Sequence, residues 1–196
     1  ETFFLHLRPN MYSRNFRDLP DDRLVKRANK IMSDLFSKSI HSIRQITANE
    51  SDAKGFYRFL LNERVTEEKI KDNMLDNCIA SCKDRYVVCI QDTTEINLIN
   101  HRRRIQKDNY IGTTNAKNER GLGFMVHPSL VLDALTLYPY GYADIKIWNR
   151  PQEFRPKHQR QYDKLTIEEK ESYKWIEVSK KTQANLRDVV PGMIIV

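Results

Sequence analysis

From Pro20 onward, Leu24, Ala28, Ile31, Met32 and Leu35 recur at the three- and four-residue spacing of an amphipathic helix, with Asp21 and Asp22 at the positive end of its dipole. After a polar connection, Asn49 is placed to cap a second helix in which Phe56, Tyr57, Phe59, Leu60 and Leu61 form an apolar, core-facing set. Thr66 caps a third, with Glu67 and Glu68 in its first turn and Ile70, Met74, Leu75, Cys78, Ile79 and Cys82 along one side. These three make a helical module. Residues 1–17, which include Arg8, Arg14 and Arg17, show no sustained period and read as an extended lead-in.

At Lys83 the spacing changes from helical to strand-like, and a domain boundary is placed there: residues 1–83, then 84–196. Tyr86–Ile90 is an apolar, β-rich run followed by Gln91, Asp92, Thr93 and Thr94, the pattern of a buried strand delivering an acid to the end of a sheet. Strands also end in Asp merely to start a turn. Glu95–Ile99 extends a short strand; Gly123–Leu135 gives another, with Pro128 marking an edge or bulge; Tyr138–Trp148 gives the next. Short links between them predict an antiparallel meander. Residues 149–165 read as a polar linker, 166–186 as a helix with acids early and bases late, and Gly192–Val196 as a fourth strand.

Charge changes the picture. The 196 residues carry a formal net charge of +7 with 30% charged residues, which favours a polyanionic partner. Arg23, Lys26, Arg27 and Lys30 share the first helix's polar face, read either as solvated surface or as DNA contact, and Arg58 either snorkels to solvent or reaches a phosphate. Between His101 and Arg120, six bases (Arg102, Arg103, Arg104, Lys107, Lys117, Arg120) face two acids (Asp108, Glu119); this loop is either a steering surface for a phosphate backbone or a solvated insertion. No run approaches the length of a membrane span and no signal-peptide pattern is present, so a cytoplasmic location is expected. Cys78, Cys82 and Cys89 have neither disulfide-framework nor zinc-ligand spacing. The chain starts at Glu1 and stops inside the apolar run Met193–Val196, and is read as a piece of a longer protein.

A helical module followed by three antiparallel strands, a crossover helix and a further strand gives an α/β (α+β) fold, the opening of a ribonuclease-H-like domain. Within that order stand Gly55-Phe56-Tyr57-Arg58-Phe59-Leu60 with Asn62 and Val65, Gln91-Asp92-Thr93-Thr94, Met125-Val126-His127, Trp148-Asn149-Arg150-Pro151 and Glu169-Lys170-Glu171-Ser172-Tyr173-Lys174-Trp175. From Leu19 to the end, the chain resembles the cut-and-paste bacterial DNA transposases of the insertion-sequence-four group, relatives of the transposon-five transposase.

The resemblance implies a three-acid site (Asp, Asp, Glu) holding two Mg2+ or Mn2+ ions for DNA cleavage and strand transfer. Asp92 maps onto the first acid as catalytic residue and metal ligand, and the other two are expected beyond Val196. Glu171 is read as a dipole partner of the crossover helix. The resemblance further implies a double-stranded DNA partner (transposon ends and target), a homodimer on paired ends, and end binding through the helical module with Arg27 near DNA. Tyr57 is read as packing, Thr93 and Thr94 as shaping the Asp92 turn or meeting the target strand, and His127 as a strand histidine with a hydrogen-bonded partner or a group near DNA or metal. The rival readings are a catalytically silent DNA-binding protein derived from a transposase and a nuclease of the same fold.

Overall fold

The computed structural model describes residues 16–17, 19–38, 42–114, 121–150 and 164–196. The predicted bases Lys117 and Arg120 and residues 151–163 lie outside them, as does most of the lead-in. Two compact units divide at Asn77/Cys78.

The first unit is helical. Helix α1 spans Asp22–Lys38, α2 Ile43–Ile46, α3 Glu50–Leu60, and α4 starts at Glu67 and runs on to Cys82. Asn49 accepts the Asp52 N–H at 2.9 Å and Thr66 the Lys69 N–H at 3.3 Å, the two predicted caps. Leu24 and Ala28 of α1 close on Phe59 of α3 with Leu19 ahead of them, while Phe56 and Ile46 are fully buried. Two expectations are corrected. The polar connection contains the short helix α2, anchored where Lys38 Nζ donates to the Ile46 carbonyl. Only part of the apolar sets is core: Met32 of α1 is exposed, and so are Tyr57, Leu60 and Leu61, because α3 has one face against α1 and a single buried stripe cannot hold five apolar positions in six residues.

The second unit is a mixed five-stranded sheet. Strands β1 (Tyr86–Gln91), β2 (Thr94–Asn97), β3 (Gly123–Asp133) and β4 (Pro139–Trp148) are followed by helix α5 (Tyr173–Leu186) and β5 (Gly192–Ile195). Both β1 and β2 pair antiparallel with β3, β4 lies antiparallel on β3's other side, and β5 runs parallel beside β1. That order, with α5 as the crossover to a parallel strand, is the expected ribonuclease-H-like opening, in an α+β chain. The end of α4 contributes Cys78 and Cys82 to this unit's core with Val87, Cys89, Val131, Ala143, Leu186 and Val190. The compact units therefore divide inside α4, whereas the change in sequence spacing falls at Lys83.

Strand β1 is not buried on both faces. Val87 and Cys89 point into the core, whereas Tyr86 and Ile90 are exposed, the alternation of a one-sided strand. The short strand begins at Thr94, and α5 begins at Tyr173 rather than Thr166: residues 166–172 form turns in which Glu169 takes the Thr166 N–H. Pro128 sits on β3, the strand flanked on both sides, so of the two readings, edge or bulge, the edge is corrected; a register shift against β4 falls close by, between Ser129 and Leu130. At the start of β3, Gly123 has φ +148°, and a Cβ there would stand 1.9 Å from the Ile96 carbonyl oxygen, so only glycine lets β2 close on β3.

Candidate active site and nucleic-acid interface

Strands β1 and β2 keep one register against β3. Gln91 pairs with Ser129 and Thr94 with Val126, which leaves Asp92 and Thr93 opposite Pro128 and His127. Flanking β3, the Leu98 N–H donates to the Leu122 carbonyl (2.7 Å) and the Ala134 N–H to the Tyr86 carbonyl (3.0 Å). In an antiparallel ladder such bonded positions alternate, so the even-numbered residues of β3 turn their backbone groups toward β1 and β2. Pro128 is one of them and has no N–H to give. The ladder lapses at Asp92 for that reason, and the strand opens where the acid stands.

Asp92 is exposed, and its Oδ1 accepts the Thr93 N–H at 2.7 Å. An exposed carboxylate is a hard oxygen donor of the kind Mg2+ or Mn2+ takes. The next acid along, Glu95, is engaged: its Oε1 accepts from the Thr114 hydroxyl (2.7 Å) and the Asn97 amide (3.0 Å). Among the described residues no group of three or more His, Cys, Asp or Glu side chains converges. At the far end of β1, the Gln91 N–H donates to the Val196 carbonyl and the Val196 N–H to the Cys89 carbonyl, so the end of β5 lies beside the end of β1.

Behind Asp92 a largely half-buried polar relay runs from β1 through β3 to α5. His127 is fully buried, with Nδ1 2.8 Å from Thr93 Oγ1 and Nε2 2.9 Å from Gln91 Oε1. Gln91 Nε2 donates to Ser179 Oγ (2.8 Å), and Ser179 Oγ donates to the Trp175 carbonyl (2.7 Å). Read from that fixed carbonyl end, every group has one role: Nε2 of His127 carries the proton and Nδ1 accepts from Thr93. This is a neutral imidazole, and burial together with the Lys174 charge holds the His127 pKa below its usual value; the Asp92 backbone and the Asp92 and Asp144 charges act the other way. Trp175 meets the ring edge-on at 4.5 Å. Hydrogen-bonded burial is the role that structure gives His127, and Thr93 does shape the segment after Asp92.

Glu171 lies at the N-terminal end of α5, just ahead of its N-cap, rather than within the helix's first turns. It receives a bidentate fork from Arg150, Nε to Oε2 at 3.0 Å and Nη2 to Oε1 at 2.7 Å. Sequence spacing held no sign of this pair, which joins residues 21 positions apart.

In the helical unit the predicted bases divide into two groups. Arg27 lies 3.6 Å from Asp52 and 5.7 Å from the Phe56 ring centre, with its guanidinium over Gly55; Lys30 reaches Asp34 (2.9 Å) and Asp52 (3.4 Å) and raises its own pKa thereby. Those two charges bind α1 to α3. Arg23, Lys26 and Arg58 are exposed. On α3, Lys54, Tyr57 and Arg58 stand three and four residues apart and all are exposed, so Tyr57 is corrected from a packing residue to a surface aromatic between two bases. An apolar run hides this from sequence reasoning, because spacing alone does not say which face α1 covers.

The basic loop is in part built into the sheet unit. Residues 99–104 form tight turns with Arg102, Arg103 and Arg104 exposed. Lys107 is instead half-buried, and its Nζ donates to Thr113 Oγ1 at 2.7 Å. Thr113 pairs with Arg150 and Gly112 with Gly123, so residues 107 and 112–114 are built into the sheet unit while Arg102–Arg104 stay exposed.

Among the described residues no helix is long and apolar enough to cross a membrane. Residues 15–65 match the family model for transposase DNA-binding domains, a span that takes in α1 to α3 and the exposed Lys54, Tyr57 and Arg58, and this match supports a transposase with DNA as its partner.

Proposed function

We propose that this chain is part of a DNA transposase of the insertion-sequence-four group, in which the helical unit binds transposon ends and the sheet unit contributes the first acid of a three-acid site. The observation that carries the catalytic part is the lapse of the ladder opposite Pro128, which leaves Asp92 exposed at the end of β1. The adjoining end of β5 supports the same reading, because Val196 is bonded to Cys89 and Gln91, just ahead of Asp92, on the side where the resemblance expects the second acid. Asp92 would hold a metal ion through its carboxylate, and such an ion, when bound with the complete acid set, would supply Lewis-acid activation of the phosphodiester and of the attacking oxygen. In this reading the full-length protein acts as a homodimer on paired ends in the bacterial cytoplasm, on nucleoid DNA.

The DNA contacts of the helical unit are assigned to the exposed α3 triplet Lys54, Tyr57 and Arg58, with Arg23 and Lys26 on α1 as phosphate contacts. Arg102, Arg103 and Arg104 are phosphate contacts of the sheet unit. Such charges give affinity that falls steeply with salt. The test is cleavage of an end-containing duplex by the full-length protein in Mg2+ or Mn2+. Asp92→Ala is expected to abolish cleavage and leave end binding in a gel-shift assay unchanged; cleavage that survives the substitution disproves the assignment. The 196-residue chain itself is expected to bind DNA without nicking it, since one carboxylate does not fix two ions.

A further inference from the structure

Four cations and two carboxylates gather where the end of β4 faces α5. Lys146 pairs with Glu177, which also takes Lys181 at 3.5 Å, and Arg150 occupies both oxygens of Glu171. Lys174 makes no ion pair among the described residues. Its Nζ lies 4.8 Å from the centre of the Trp148 ring, and the side chain is only half-exposed. A half-buried ammonium with both nearby carboxylates already engaged is costly unless an anion supplies the missing charge. Burial lowers the Lys174 pKa; Glu171 opposes that, and the positive charges of Arg150 and Lys146 add to it. The ring gives the ammonium a platform but no hydrogen-bond acceptor for its three donors.

The position is informative. Lys146 stands opposite His127 on β3, and His127 bonds Thr93, the residue after Asp92. Trp148, on which Lys174 rests, pairs with Met125, so β3 alone lies between the strand under this charge and the β1–β2 side that carries Asp92, on a sheet with about 4.7–4.9 Å between neighbouring strands. We propose that Lys174, seated on Trp148 and flanked by the Arg150–Glu171 and Lys146–Glu177 pairs, binds a backbone phosphate of the DNA as it passes the sheet unit. This rests on the reading that the chain binds DNA, and it adds a contact outside the helical unit and outside the Arg102–Arg104 turn. Sequence inspection places Lys174 in a helix as one base among several; the engagement of its neighbours is what sets it apart.

The test is the salt dependence of binding to a duplex of unrelated sequence by the 196-residue chain, compared with Lys174→Met and Lys174→Arg. Met keeps the apolar stem over the indole and removes the charge; Arg keeps the charge. Loss of one phosphate contact is expected to lower the slope of log affinity against log salt by about 0.9 in the Met variant and leave it near the original in the Arg variant. An unchanged slope in Lys174→Met, with normal salt-dependent binding in the parent chain, overturns this proposal and spares the DNA-binding reading. Absence of salt-dependent binding in the parent chain overturns both. If Lys174→Met does not fold, Glu171→Gln serves instead: it leaves Arg150 uncompensated beside Lys174 and is expected to steepen the slope, and no change counts against the site. Inorganic phosphate is the second probe. Lys174-dependent binding of phosphate with no effect of Lys174→Met on the duplex identifies a small-anion site and overturns the assignment to DNA.

Discussion

Asp92 stands opposite Pro128 in the register that joins β1 and β2 to β3, and the missing proline N–H is the reason the ladder lapses at that acid. A substitution restoring a donor tests this directly. Pro128→Ala is expected to create an amide that bonds the Asp92 carbonyl, gaining about 1 kcal/mol. Loss of proline frees the unfolded chain by a similar amount, so net stability changes little. The informative measurement is hydrogen exchange: protection of the new backbone amide in the Pro128→Ala variant supports the account, and free exchange at that position refutes it.

His127 is the hinge of the relay. His127→Ala strands Thr93 Oγ1 and Gln91 Oε1, and also leaves a cavity beside Trp175. A cost of about 2–4 kcal/mol is expected in urea unfolding of the sheet unit. A loss below about 1 kcal/mol would mean that the relay contributes little to holding the strand behind Asp92.

At the β3–β4 turn, Tyr140 donates its hydroxyl to Asp133 Oδ2 at 2.6 Å, and Asp133 also accepts the Leu135 and Thr136 N–H groups. Burial first, and this bond second, push the tyrosine pKa up to about 12, while the Tyr140 hydroxyl and then the Thr136 N–H hold Asp133 below the usual carboxylate range. The signs give two pH limits. The tyrosine contribution is complete below its unfolded value of about 10 and is lost as pH rises through the folded value. The aspartate contribution is complete above its unfolded value of about 3.9 and is lost as pH falls through its lower folded value. Phenolate absorbance is expected to show one late-titrating tyrosine that moves to lower pH in Asp133→Asn.

The two sets of bases in the helical unit predict opposite phenotypes. Tyr57→Ala and Arg58→Ala are expected to weaken DNA binding, with about 1–3 kcal/mol for an aromatic that stacks on a base, and leave the melting temperature in place. Arg27→Ala removes the guanidinium over Gly55 and beside Phe56 and is expected to lower stability by about 1 kcal/mol. Calorimetry and gel shift on the same variants separate the groups; a Tyr57 variant that binds DNA normally would remove α3 from the interface.

Gly123→Ala is expected to be severe. The new Cβ meets the Ile96 carbonyl oxygen at 1.9 Å, and the φ of +148° is one that alanine rarely adopts. A loss above about 3 kcal/mol is expected in thermal unfolding, centred on the β2–β3 pairing, and near-native stability would show that this pairing is not closed in solution.

The element order was legible in the chain because it follows from local causes. Caps at Asn49 and Thr66, the apolar run of β3 and a proline in the middle of that strand are written within a few residues of where they act. Asp92 was legible as well, as an acid after an apolar run. Features that depend on which surfaces meet were not. Tyr57 and Leu61 look like core until α1 is seen to cover only the Phe56 and Phe59 side of α3. Glu171 looks like the start of a helix until Arg150 is seen to hold it. Pro128 looks like an edge or bulge marker until register sets it against Asp92, and Lys174 is one base among many until its neighbours are seen to be paired. The sequence determined which segments become helices and strands and where the acid falls, since backbone preferences and spacing act locally. Only the tertiary structure decided which face of each element is covered and which charges are already matched, because these depend on residues tens of positions apart brought within a few ångströms.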